Sequence, residues 1–293
     1  MLKSGFFSVQ NRLLPTIVVS FCFLLPLQTS YAHNENETEG FQEGIVSVEQ
    51  YHTFNTPRFT LFIGEREENE DTQLHHSKQI ATQSLKVLND TFDELSRILN
   101  FLPERKVVLR FLSPKQFTEQ TNAPEWTNAM FFRGEIIIPL NENLSMDAEE
   151  LKRALRHEYV HAVFAEISGF RCPAWLDEGI AQLFEGQPNA LLGPSLKRWI
   201  QKHEAMPLDW LENGFTSLDD SVVPAAYAQS LFVSRILVER HGFSGIVKYL
   251  TNLKDGHSGE TAFKMAFGES QKDFEQSLTR KIALWAGSGQ NTP

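Results

Sequence analysis

The chain has 293 residues, 41% hydrophobic and 22% charged, with a formal net charge of −10. That composition excludes a disordered or fibrous protein and predicts one compact unit or two small ones. The acidic balance argues against nucleic acid as a partner, because phosphate backbones are bound by basic surfaces.

At the N-terminus Lys3 and Arg12 precede the apolar run Leu13 to Leu27, which leads into small residues at Ser30 and Ala32. A positive flank, a short apolar core and a small-residue end predict a secretory signal peptide over residues 1–32, cleaved near Ala32. The run holds fifteen residues broken by Pro15 and Pro26. A helix needs roughly 20 to cross a bilayer, so no stable membrane span is expected after cleavage. Phe21 before Cys22 disfavours a lipoprotein signal, which wants a small residue there. Removing residues 1–32 takes away Lys3 and Arg12, moving the charge from −10 to −12. Cys172 is then the one cysteine left, no intrachain disulfide is possible, and the core, helped by a metal, must hold the fold. The expected location is exported, periplasmic or extracellular. Asn36, Asn89 and Asn143 begin Asn-x-Ser/Thr acceptor patterns, relevant only in a eukaryotic secretory route.

Residues 33–47 are polar and aperiodic and read as a linker. "IVSVEQYHTF" and "RFTLFIG" alternate apolar and polar residues, the period of half-buried strands. The acidic run Glu65 to Asp71 follows, and His75 and His76 beside it read as a solvated loop with no metal role. Ile80, Leu85, Leu88, Phe92, Leu95 and Ile98 recur at three- and four-residue steps, predicting a helix with one apolar face. "KVVLRFLS" (106–113) reads as a strand, and "MFFRGEIIIPL" (130–140) as one strand or a hairpin turning at Arg133-Gly134. A helix should start at the N-cap Asp147, with Glu150 three residues on, and stop at Gly169. A second helix is predicted from about Pro173 to Glu185, ending at Gly186. Beyond it, "GPSLKRWIQKH", "YAQSLFVSRILVERHG", "SGIVKYLTNLKDG", "GETAFKMAFG" and "SQKDFEQSLTRKIALW" are all helical in pattern. In that region His241, just before Gly242, reads as a helix C-terminal residue complementing the dipole. The fold class is α+β: a core over 48–186, a helical C-terminal subdomain over 187–286 and a loose tail over 287–293.

The first of the two paired helices carries "RHEYVHA", in which His157 and His161 stand four residues apart. A four-residue step turns an α-helix by about 400°, so both rings leave one face a turn apart and can meet one cation. Glu158 lies about 100° round from His157, placed to reach a water at the cation rather than to ligate it. This is why His-Glu-x-x-His marks zinc sites in which the carboxylate acts as base. The bland reading is two core histidines satisfied by backbone groups. Two imidazoles leave a catalytic zinc one protein ligand short, and Glu178, on the next helix, is the nearest candidate. Asp177 and Cys172 stand as rivals. Gly179 and Ala181, with Ala162 and Ala165, are small enough to let the two helices approach closely.

"HEYVHAVF" followed by "PAWLDEGIAQLFE" resembles the zincin metallopeptidases of the glutamate-ligand type, the gluzincins, and more closely the bacterial peptidase MA-like domains. The residues that match are His157, Glu158, His161, Trp175, Leu176, Glu178, Gly179 and Ala181. The weaker flanks extend the likeness over residues 48–283. The resemblance implies a zincin-like fold: an N-terminal mixed sheet with one helix, then the two metal-site helices and an all-helical remainder. It implies one zinc ion held by His157, His161 and Glu178, with Glu158 as general base, and a peptide or protein substrate. It further implies that Tyr227 donates to the oxyanion, and that Asn128 and Ala129, in an edge-strand sequence interrupted by Met130, bind substrate backbone. Gln182 departs from the pattern, standing where similar peptidases place an acid behind a zinc histidine. The alternative is a non-catalytic zincin-fold binding or scaffold protein of the cell envelope, against which the intact Glu158 speaks.

Overall fold

The computed structural model describes residues 51–64, 70–123, 127–140, 147–186, 189–215 and 218–288. The signal segment, the linker, the acceptors Asn36 and Asn143 and the end of the tail lie outside the described residues.

Strands β1 (Tyr51–Asn55), β2 (Phe59–Gly64), β3 (Val107–Leu112), β4 (Met130–Phe132) and β5 (Glu135–Pro139) form one mixed sheet in the order β1-β2-β3-β5-β4. β1 and β2 pair antiparallel, β2–β3 and β3–β5 parallel, and β5–β4 antiparallel. The parallel β2–β3 pair requires a crossover, supplied by helix α1 (Glu70–Leu99). The period-two pattern does its work here: Phe59, Leu61 and Ile63 share one buried face with Val107, Leu109 and Phe111, and with Ile136 and Ile138. On the opposite face Arg110 pairs with Glu135 across β3 and β5 and stacks over Phe62.

"MFFRGEIIIPL" is a hairpin. Arg133 (φ 53) and Gly134 (φ 87) both take positive φ, the two-residue turn whose twist matches that of the paired strands. It leaves β4 as an edge strand of the sheet. Between β3 and β4 the short helix α2 (Pro114–Thr121) begins with a reciprocal capping box between Ser113 and Gln116. His75 and His76 are not in a loop. They lie within α1, whose sequence keeps its helical register back to Glu70.

Helix α3 (Ala148–Ser168) starts at Asp147, whose Oδ1 accepts from the amides of Glu149 and Glu150. Almost every residue from Leu151 onward is buried, because α3 contacts α1, the β4–β5 hairpin and further helices below. A helix buried all round needs no single apolar stripe. It ends at Gly169 (φ 62) and Phe170 (φ 62), whose amides both bond to Ala165 O. Ser168 Oγ then accepts from the amides of Arg171 and Cys172 and fixes the reversal. Pro173 lies just before helix α4 (Ala174–Phe184), its carbonyl accepting from Leu176 and Asp177.

The remainder is helical: α5 (Leu192–Ile200), a 3₁₀ turn at Leu208–Leu211, α6 (Val223–Lys254), α7 (Gly259–Phe267) and α8 (Gln271–Gly287). Two predicted helices run on as α6, with one non-helical residue between them, Gly242 (φ 64, ψ 176). His241 stands where the first part ends, as its position before glycine suggested. No helix among the described residues is long and apolar enough to cross a membrane.

The small residues of α4 do not all serve the α3–α4 contact. Gly179 faces α6: a Cβ there would stand 2.2 Å from Ser234 Oγ and 2.3 Å from Ser230 O. The carbonyl belongs to helix backbone and cannot yield cheaply. Alanine in place of a helical glycine usually gains about 1 kcal/mol of propensity, whereas overpacking of this kind costs roughly 1–3 kcal/mol. Gly179→Ala should therefore lower the free energy of unfolding, measured in urea, by a net amount of up to about 2 kcal/mol. A stabilised variant would show that α4 and α6 do not meet at backbone distance.

Candidate metal centre

Helices α3 and α4 bring together the groups that the spacing of "HEYVH" and "WLDEG" pointed to. Ligand atoms of His157, His161 and Glu178 all lie within 4.8 Å of one another. Glu178 Oε2 is 3.2 Å from His157 Nε2 and 3.9 Å from His161 Nε2. The two rings meet edge to face, with centroids 4.8 Å apart. Both histidines and Glu158 are fully buried, and Glu178 is 2% exposed.

Behind each ring stands a carboxylate. His157 Nδ1 is 2.8 Å from Glu185 Oε1, and His161 Nδ1 is 3.0 Å from Asp177 Oδ1. The hydrogen bond from His157 Nδ1 to Glu185 turns the Nε2 lone pair of that ring toward the shared point, the arrangement that orients and strengthens metal-ligating imidazoles, and the Asp177 carboxylate stands at ion-pair distance behind the His161 ring. Asp177, the rival third ligand, thus serves His161 from behind while Glu178 takes the front. Nor does Gln182 stand in for the expected acid. Its Nε2 donates to Glu178 O and to Tyr227 O, tying α4 to α6, while Asp177 and Glu185 supply the two acids. Cys172, the other rival, is buried in the turn, its thiol directed at Pro173 O.

Glu185 is the partner that the sequence reading missed. It lies seven residues after Glu178, about two helical turns, so both carboxylates leave α4 on nearly the same side.

Four buried acids, Glu158, Asp177, Glu178 and Glu185, surround two imidazoles. Burial opposes a charge on His157, but hydrogen bonds donated to the Glu178 and Glu185 carboxylates and the nearby charges of Glu185 and Glu158 outweigh it and raise its pKa. Burial likewise pushes the Glu178 carboxyl up, and the two rings pull it part of the way back. Both directions favour the protonated form of each group and have one cause, the burial of acids and imidazoles together. Buried carboxylates in such excess are costly unless neutralised. Two nitrogens and one carboxylate oxygen converging in such surroundings form a donor set able to hold a metal ion.

Asn128 precedes edge strand β4, and its Nδ2 donates to Glu150 Oε1 in the first turn of α3 at 3.1 Å. Ala129 beside it is fully buried. Tyr227 is buried in α6 with its ring edge-on to Phe215. Its carbonyl is the one that Gln182 holds, one turn of α4 beyond Glu178.

Residues 117–283, more than half of the chain, match the family model of the peptidase MA superfamily. The chain belongs to this superfamily. The match begins within α2 and ends within α8, so it contains β4, β5, both metal-site helices and α6. No curated protein matches the chain. For a member of the superfamily, a buried cluster of two histidines and one glutamate is a peptidase-type site able to hold a metal.

Burial first, then the charges of Asp177 and Glu178, pushes the Cys172 thiol well above the usual range. A thiolate, not a thiol, reacts with disulfide reagents. In a Cys22→Ser chain at pH 8, dithionitrobenzoate should find no reactive thiol in the folded protein and one after denaturation. Rapid labelling of the folded protein would contradict the burial of this turn.

Proposed function

We propose that this chain is an exported zinc metallopeptidase of the gluzincin type that hydrolyses peptide bonds in a peptide or protein substrate. The observation that carries the reading is the convergence of His157, His161 and Glu178 within 4.8 Å, in a chain of the peptidase MA superfamily. Zinc held by these three residues supplies a Lewis acid that polarises the scissile carbonyl and acidifies water. Glu158 accepts the proton of the attacking water on its carboxylate and delivers it to the leaving amine nitrogen. Its burial beside His157 keeps bulk water from competing for that proton. Glu185 holds the His157 ring in the donor orientation by a hydrogen bond from behind, and the Asp177 carboxylate lies at ion-pair distance behind His161. Tyr227 donates its hydroxyl to the oxyanion, an interaction that strengthens only as the tetrahedral centre forms. Just before edge strand β4, the half-buried Asn128 offers backbone groups to an extended substrate, which pairs along that edge as an added strand, while the fully buried Ala129 takes no part. Export rests on residues 1–32, with their basic flank, short apolar core and small-residue end.

Metal quantification and a peptide-library assay on one purified sample test this reading. The wild type should carry about one zinc per chain, as a site with three protein ligands does, and lose cleavage on chelation. Glu158→Gln should keep the zinc and lose roughly 10²–10⁴-fold in kcat/KM; a variant that cleaves like the wild type contradicts the assigned base. Tyr227→Phe should reduce kcat by about 10²-fold with little change in KM. A proportional rise in KM at unchanged kcat would make Tyr227 a binding residue instead. Residues 1–32 fused to a periplasmic reporter should direct its export, and retention of the reporter in the cytoplasm would refute the signal.

A further inference from the structure

Two consecutive residues of α3 meet two consecutive residues at the end of α4. Arg156 Nε donates to Phe184 O, and His157 Nδ1 bonds to Glu185 Oε1 at 2.8 Å. The other arm of the same guanidinium reaches α1, where Nη2 lies 2.8 Å from Glu94 Oε2. Arg156 therefore binds three helices, and the α4 group it holds is the carbonyl bonded directly to the nitrogen of Glu185.

The ends of helices make this contact consequential. Phe184 O is one of the carbonyls that the last turn of a helix leaves without an intrahelical partner. The C-terminal end also carries the negative pole of the helix, which disfavours an acid such as Glu185 placed there. A guanidinium at that carbonyl offsets both costs. Its own side chain is 16% exposed and that of Glu94 32%, so solvent screens this pair only partly. Beyond Glu185 the chain leaves the helix at Gly186 (φ 90), so nothing further along α4 can hold the carboxylate in place.

We propose that Arg156, anchored by Glu94, is a positioning residue for the metal centre. By clamping Phe184 O it sets Glu185 against His157 Nδ1 and so determines how strongly His157 binds the metal. The inference rests on the reading of His157, His161 and Glu178 as zinc ligands. It gives the arginine before the first histidine a role that neither substrate contact nor ligation supplies. Glu94 joins the site from about sixty residues upstream, outside the span that matches the superfamily.

The test is a double-mutant cycle on the full chain, read as the zinc dissociation constant by competition with a chromophoric chelator. Urea unfolding of the zinc-free proteins runs beside it. Arg156→Met keeps the apolar stem and removes the donors, while Glu185→Gln removes the carboxylate. Each single variant should weaken zinc by roughly 10–100-fold, the usual cost of losing a group that orients a metal ligand. The double variant should be no weaker than Glu185→Gln alone, because the arginine acts through that carboxylate. Zinc affinity unchanged in Arg156→Met, or losses that multiply in the double variant, would overturn the proposal. A merely structural arginine would lower urea stability without this coupling in affinity. If Arg156→Met does not fold, Glu94→Gln takes its place. A several-fold loss in the wild-type background that vanishes in the Glu185→Gln background supports the brace, and an equal loss in both refutes it. A wild type that binds no zinc overturns the metal reading itself and this inference with it. Binding in the wild type with uncoupled variants overturns only the brace.

Discussion

Four carboxyls and two imidazoles are buried together where α3 and α4 meet, and the rest of the architecture answers to that concentration of charge. Taken out of water, such groups cost several kcal/mol each unless they are paired, protonated or bound to a cation. The raised pKa values of His157 and Glu178 express part of that cost, since both favour the protonated form. A divalent ion held by His157, His161 and Glu178 would relieve more of it by neutralising the buried carboxylates. Occupation of the site by a metal would in that sense also support the integrity of this core.

Holding ligands that strictly demands rigid elements on every side. The sheet presents an apolar face, α1 covers it, and α3 lies between that layer and α6. α4 is fixed at three places along its length. Its start is held by the Ser168 reversal and by the bond from Ala174 N to Glu212 O. Its middle rests on α6 at Gly179, next to Glu178. Its end is held by Arg156. The glycine of "WLDEG" is thus a statement about the far side of the helix, while the glutamate before it is a statement about the near side.

Much of this was legible in the chain because it depends on local periods and caps. Alternation gave β2 and β3, Asp147 and Gly169 bounded α3, and the four-residue histidine step put both rings on one face. Helix α2 was readable but missed, since Ser113-Pro-x-Gln is a capping box that looked like the end of a strand. The partners of the imidazoles were harder. A helical wheel turns Asp177 away from Glu178 and so dismisses it, yet it cannot show that His161 reaches round to meet it from behind. Glu185 required the end point of α4, and the facing of Gly179 required the position of α6, 50 or so residues later in the chain. Contacts between elements distant in sequence carry no period to read.

The donor set itself is the claim on which the whole account turns, and X-ray absorption at the zinc edge of the metal-loaded protein addresses it most directly. The account predicts a first shell of nitrogen and oxygen only, at about 2.0–2.2 Å, with the multiple-scattering signature of two imidazoles. A sulfur scatterer at about 2.3 Å would place the Cys172 thiolate on the metal and contradict the assignment of Glu178.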